Sequence, residues 1–126
     1  MKLRIRGDSI RLRLSKTEVA LIGEGRLVRD RVRFPGGGSL DYSIVPSPKP
    51  GIHARFKGEV IEVELEGELG RQWATSDQIT LEVEESIEPG VRLSILIEKD
   101  FFCRSPRSRP EDESDLFPNF NHGCSG

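Results

Sequence analysis

Between Met1 and Asp100, apolar side chains recur at every second position with charged ones between them, the period of a strand with one buried face. Leu3 and Ile5 alternate with Lys2, Arg4 and Arg6. After the turn signal Gly7-Asp8, Ile10, Leu12 and Leu14 alternate with Arg11 and Arg13, so the chain opens on a hairpin. Val28, Val32 and Phe34 share a face with Asp30, opposite Arg29, Arg31 and Arg33. Leu40, Tyr42 and Ile44 follow the loop Pro35-Gly36-Gly37-Gly38, and Pro46, Pro48 and Pro50 then favour an extended connection. Ile52, Ala54 and Phe56 alternate with His53, Arg55 and Lys57, and Ile61, Val63 and Leu65 with Glu62, Glu64 and Glu66. Ile79, Leu81 and Val83 alternate with Thr80, Glu82 and Glu84. Val91, Leu93, Ile95 and Ile97 complete the series, and Leu96 on the opposite face predicts a last strand covered on both sides.

Two segments break this period. Ser15-Lys16-Thr17-Glu18 has capping-box spacing ahead of Val19-Ala20-Leu21-Ile22 and is stopped by Gly23 and Gly25, which predicts a two-turn helix. Leu69 and Trp73 stand four apart, a helical spacing, which predicts a second short helix. The fold class is therefore mainly β, about eight strands with two short helices. Links this short imply an antiparallel meander, curled into a barrel or a strongly bent sheet that hides its edges. No internal repeat and no second domain is evident.

From Phe101 the alternation stops. The expected organisation is a barrel-like domain over residues 1–100 and a C-terminal tail, 101–126, packing on that same domain. The 126 residues suit one domain with its own core. No apolar run approaches the ~20 residues of a membrane span, and the N-terminal segment has no apolar stretch of signal-peptide type. The expectation is a soluble cytoplasmic protein with no membrane partner.

The net charge of −2 conceals an asymmetry. Residues 1–57 hold 13 Lys/Arg and 5 Asp/Glu, or +8, whereas residues 58–126 hold 6 and 16, or −10. Either the halves neutralise each other across strand pairs, or the surface is polarised, with a basic and an acidic face. The second outcome implies a basic face for an anion and an acidic face for a cation or a protein partner, and permits self-association in which the basic face of one copy meets the acidic face of another. Nucleic acid fits poorly: the pI is near 5.8, and no stacking aromatics are interleaved with the arginines.

Two segments carry a resemblance. One is Ile5-Arg6-Gly7-Asp8-Ser9-Ile10-Arg11-Leu12-Arg13-Leu14-Ser15-Lys16-Thr17-Glu18-Val19. The other is Leu96-Ile97-Glu98-Lys99-Asp100-Phe101 with Cys103 and the acidic run Glu111-Asp112-Glu113-Ser114-Asp115 leading to Leu116-Phe117-Pro118-Asn119. They resemble a family of short uncharacterised bacterial proteins, a domain of unknown function. The resemblance implies one domain that includes its tail, and no particular activity.

Candidate chemistry lies in two places. Both cysteines and one of the two histidines fall in the tail. His122 and Cys124 are two apart and share a face if extended. Cys103 can reach them through the intervening loop, and Asp112 or Asp115 can complete a tetrahedral zinc site. Cys103 after two phenylalanines also fits a small buried hydrophobe, and the two cysteines also fit a disulfide. The second place is the set of cations on the non-aliphatic strand faces: Arg4, Arg6, Arg11, Arg13, Arg31, Arg33, Arg55 and Lys57. Lining the inside of a closed barrel opposite glutamates, they would look like the phosphate grip of a triphosphate tunnel enzyme. The Glu-x-Glu-x-Lys opening strand of that family is replaced here by Lys2-Leu3-Arg4-Ile5-Arg6. Taken together, the residues describe a small non-enzymatic partner- or metal-binding β domain, with an anion-binding barrel as the alternative.

Overall fold

A computed structural model describes residues 1–101, so every expectation placed on the tail beyond Phe101 lies outside the described residues. Eight strands and two helices follow in the order β1(Lys2–Ile5), β2(Ser9–Leu14), α1(Lys16–Gly23), β3(Val28–Arg33), β4(Ser39–Ser47), β5(Ile52–Lys57), β6(Val60–Glu66), α2(Gly67–Ala74), β7(Thr80–Glu88), β8(Val91–Lys99). Element types and count agree with the period-two reading. The topology does not. The strands form two four-stranded sheets, β1-β2-β8-β7 and β3-β4-β6-β5, and neither is closed into a barrel. The ladder is also no simple meander, because β2 runs parallel to β8 and β4 parallel to β6. The physical reason is the helices: each carries the chain from one sheet to the other, so the following hairpin cannot pair with the preceding one.

The order strand-strand-helix-strand-strand occurs twice, as β1–β4 around α1 and β5–β8 around α2. Each unit gives one hairpin to each sheet. The repeat is one of topology, and the charges on it are inverted. Where β2 carries Arg11 and Arg13 beside β8, β6 carries Glu62 and Glu64 beside β4. Where β3 carries Arg29 and Arg31, β7 carries Glu82 and Glu84.

Both helices lie at one end of the sheets and all four hairpin tips at the other, since β2, β4, β6 and β8 all run from a tip toward the helices. Helix α1 begins where the sequence places it: Ser15 Oγ accepts the Glu18 N–H at 3.3 Å, and Glu18 Oε1 accepts the Ser15 N–H at 2.8 Å. Helix α2 has no side-chain cap, because the Glu66 carboxylate instead accepts the Gly51 N–H at 3.0 Å. The helices touch through small residues. A Cβ at Gly23 would lie 3.2 Å from the Ala74 Cβ.

The core fills the space between the sheets. Its centre is the two parallel pairs, Leu12 with Ile97 and Ile44 with Val63, all four fully buried. Ile22 and Trp73 close it from the helix end. Leu96 is 4% exposed, on the face away from that core, as its place in a two-sided strand predicts. One turn carries strain. In the β5–β6 tip Glu59 has φ of 66°, a left-handed conformation that costs a non-glycine residue ~1–2 kcal/mol. Glu59→Asn is expected to raise stability by about 0.5–1 kcal/mol; an unchanged urea midpoint would mean that the turn absorbs no strain.

Candidate functional site: a charge-divided surface

The seams between the sheets are bridged by side chains, not by ladder hydrogen bonds. On one side, the Met1 amino group donates to Asp30 Oδ2 at 3.0 Å and to Glu18 Oε2 at 2.5 Å, and the Tyr42 hydroxyl donates to the Met1 carbonyl at 3.2 Å, tying β1 to β3 and β4. Despite partial burial, which opposes charge, the two carboxylates hold the amino group above its usual range. On the other side, Glu85 of β7 caps the edge of β5. Its carboxylate accepts the Ala54 N–H at 2.9 Å and meets His53 Nδ1 at 2.8 Å. Neither bridge was legible as a site, but each has a signal: Asp30 and Glu85 are acids at positions whose strand parity is apolar.

His53 is held between two acceptors, Glu85 and the Pro50 carbonyl at 2.9 Å from Nε2, an arrangement that only the imidazolium satisfies at both nitrogens. The Glu85 hydrogen bond, then the Pro50 carbonyl, raise its pKa above 6.5. A raised folded-state pKa contributes stability that is full below the unfolded value and is lost as pH rises through the folded one. The melting temperature is therefore expected to fall as pH increases from about 6.5 upward, and His53→Gln should flatten that slope. An identical slope in the variant would remove the bridge from the account.

With both seams placed, the strands follow one another around the molecule as β4, β3, β1, β2, then β8, β7, β5, β6. The strands of the first half of the chain are thus contiguous, and so are those of the second. Residues 1–51 carry 11 Lys/Arg against 5 Asp/Glu, or +6, and residues 52–101 carry 5 against 12, or −7. The charge split along the sequence becomes a division in space. The halves neutralise each other where they meet. At the β2–β8 boundary Arg11 and Arg13 both approach Glu98 Oε1, at 3.5 and 3.1 Å. Within the acidic arc, Glu64 is shared by Arg55 at 3.7 Å and Lys49 at 3.8 Å.

The predicted anion set is divided. Arg4, Arg6, Arg11 and Arg13 belong to the β1–β2 hairpin and Arg31 and Arg33 to β3, all on the basic arc, whereas Arg55 and Lys57 stand on β5 in the acidic arc. None lines a tunnel, because the space between the sheets is occupied by aliphatic side chains. Arg31 is engaged by Asp41, through Nε to Oδ1 at 2.7 Å and Nη2 to Oδ2 at 3.1 Å, and holds that carboxyl below its usual range. Arg6, Arg29 and Arg33 form no ion pair among the described residues. The predicted zinc ligands Cys103, Asp112, Asp115, His122 and Cys124 lie outside the described residues. Among the described residues there is no group of three His, Cys, Asp or Glu side chains placed to hold a metal, and no helix long and apolar enough to cross a membrane.

No curated protein and no solved structure matches the chain. A family model does, over residues 1–121, which takes in every element described above and most of the tail. The chain belongs to this family, a family of unknown function designated DUF7009.

Proposed function

We propose that the protein is a non-enzymatic binding module that receives a protein partner rich in carboxylates on the basic arc of β2, β1 and β3. The single observation that supports this is the contiguity of the first-half strands, which gathers Lys2, Arg4, Arg6, Arg29, Arg31 and Arg33 on neighbouring strands. Exposed cations so arranged steer association and confer specificity more than they confer affinity. A polyglutamate peptide is the probe. Binding is expected at low salt, to weaken steeply toward physiological ionic strength, and to be lost in Arg29→Glu/Arg33→Glu. Absence of binding at low salt, or equal binding by the variant, would sink the reading. The same surface fits the acidic arc of a second copy; light scattering across a salt series reads that case as a dimer that dissociates with salt.

A second reading rests on the gathering of both cysteines and His122 in one segment. It is zinc held by Cys103, His122 and Cys124, with Asp112 or Asp115 as fourth ligand. Metal analysis of untagged protein tests it. Stoichiometric zinc that is lost in Cys124→Ser supports the site, and zinc well below one per chain removes it.

A further inference from the structure

Side chains of inward parity that remain exposed near the hairpin tips include Ile5 at 58%, Val32 at 41%, Phe34 at 47% and Phe56 at 71%. Three of them, Ile5 of β1, Val32 of β3 and Phe34 just beyond β3, sit at the tip end of the β1–β3 seam. Arg6 and Arg33 stand beside them, and Arg4, Arg29 and Arg31 lie higher along the same two strands, toward the helices. The two strands therefore carry cations along their whole length, with Lys2 paired to Asp100 and Arg31 to Asp41, and apolar side chains exposed at the tip end. Asp8 is the one acid at the tip of the β1–β2 hairpin.

We infer that this seam is the docking surface for the chain's own segment Glu111–Phe120. The segment carries complementary chemistry: the acidic run Glu111-Asp112-Glu113-Ser114-Asp115, then Leu116, Phe117 and Phe120. The starting point fits as well. The described chain leaves the sheets at the helix end, where the Asp100 N–H donates to the Leu14 carbonyl at 2.9 Å and the Asp100 carboxylate pairs with Lys2 of β1 at 3.0 Å. The tail thus begins beside β1, at the helix end of the seam. The distance to the tips is one strand length, about 20 Å for the six residues of β3, and the chain from Phe101 to Leu116 can span about 50 Å. Docking there covers the exposed Ile5, Val32 and Phe34 and sets acids among the arginines that a partner would use. The tail then acts as an internal competitor for the basic arc. This role rests on the partner-binding reading, whereas the docking itself does not.

The test uses the full chain with labelled methyl groups and labelled phenylalanine rings. Nuclear Overhauser contacts are expected between the Ile5 and Val32 methyls and the rings of Phe117 and Phe120, within one molecule. Their absence, or their appearance only between differently labelled copies, overturns docking in cis; the second result assigns the seam to another copy. A full-length Phe117→Ser/Phe120→Ser variant should lose these contacts and bind polyglutamate at least about tenfold more tightly, the equivalent of ~1.4 kcal/mol. Contacts present but affinity unchanged would overturn the competitor role alone. Polyglutamate bound by neither protein would refute the partner reading while the methyl contacts still decide docking.

Discussion

Replacing Trp73 with alanine is expected to destabilise the protein by about 3–5 kcal/mol, a large part of the ~5–15 kcal/mol typical of a domain. The indole is fully buried and anchors α2 to the end of the core. Three interactions end with it, and their sizes differ. The Nε1–H donates to the Ile79 carbonyl at 3.0 Å, but Ile79 is itself half exposed, so water can replace that donor at a cost of ~1 kcal/mol or less. Lys99 Nζ lies 5.5 Å from the ring centroid, a contact worth ~0.5–1 kcal/mol at an exposed site. The volume dominates. Trp73→Phe should therefore recover more than half of the loss although it restores neither polar contact. Urea unfolding of the three proteins decides the matter; a loss below about 1 kcal/mol for the alanine variant would show that α2 is held by something other than its indole.

The second large effect is expected at Gly70, on the same helix. A Cβ there would come within 3.0 Å of both Ile22 Cγ2 and Leu65 Cδ2, and both of those side chains are buried. Alanine gains ~0.8–1 kcal/mol in helix propensity over glycine, which the clash offsets, so Gly70→Ala should be close to neutral or mildly destabilising. Gly70→Leu has no such compensation of comparable size and should cost about 1–3 kcal/mol through overpacking. Gly67→Ala is the control within α2: its Cβ meets nothing within 4 Å, so propensity alone acts and the variant should be neutral or stabilised by up to ~1 kcal/mol. If the leucine variant unfolds at the wild-type midpoint, α1 and α2 do not approach as closely as Gly70 implies.

Local structure was legible in the sequence because its signals are local. Alternation located each strand, and Ser15 with Glu18 located the start of α1 through a cap that spans three residues. Leu96 announced a two-sided strand, since an apolar residue on an otherwise polar face is costly unless covered. Pairing was not legible. Nothing in the period of β2 says that it lies against β8, in a contact such as Arg13 to Glu98 that spans 85 positions, or that it does so in parallel. The helix expected between Leu14 and Val28 was set within one antiparallel meander, whereas α1 carries the chain to the other sheet. Strand order also bears on the candidate anion set. The charged faces were recognised, but without strand order Arg55 and Lys57 were grouped with cations from which the topology divides them. The charge asymmetry became interpretable only once the halves proved contiguous.

The parallel pairing of β2 with β8 also has a consequence for biosynthesis. Sheet β3-β4-β6-β5 is drawn from one continuous stretch, Val28–Glu66, and can assemble as soon as that stretch is available. The other sheet needs both extremes of the described chain. On a ribosome adding roughly 5–20 residues per second, the opening hairpin waits several seconds for its neighbour, with Ile10, Leu12 and Leu14 uncovered and the β2 edge unpaired. During that interval two nascent chains on one message can pair through that edge. Arg11 and Arg13, placed on every second position of β2, make such a like-with-like encounter electrostatically repulsive until Glu98 arrives.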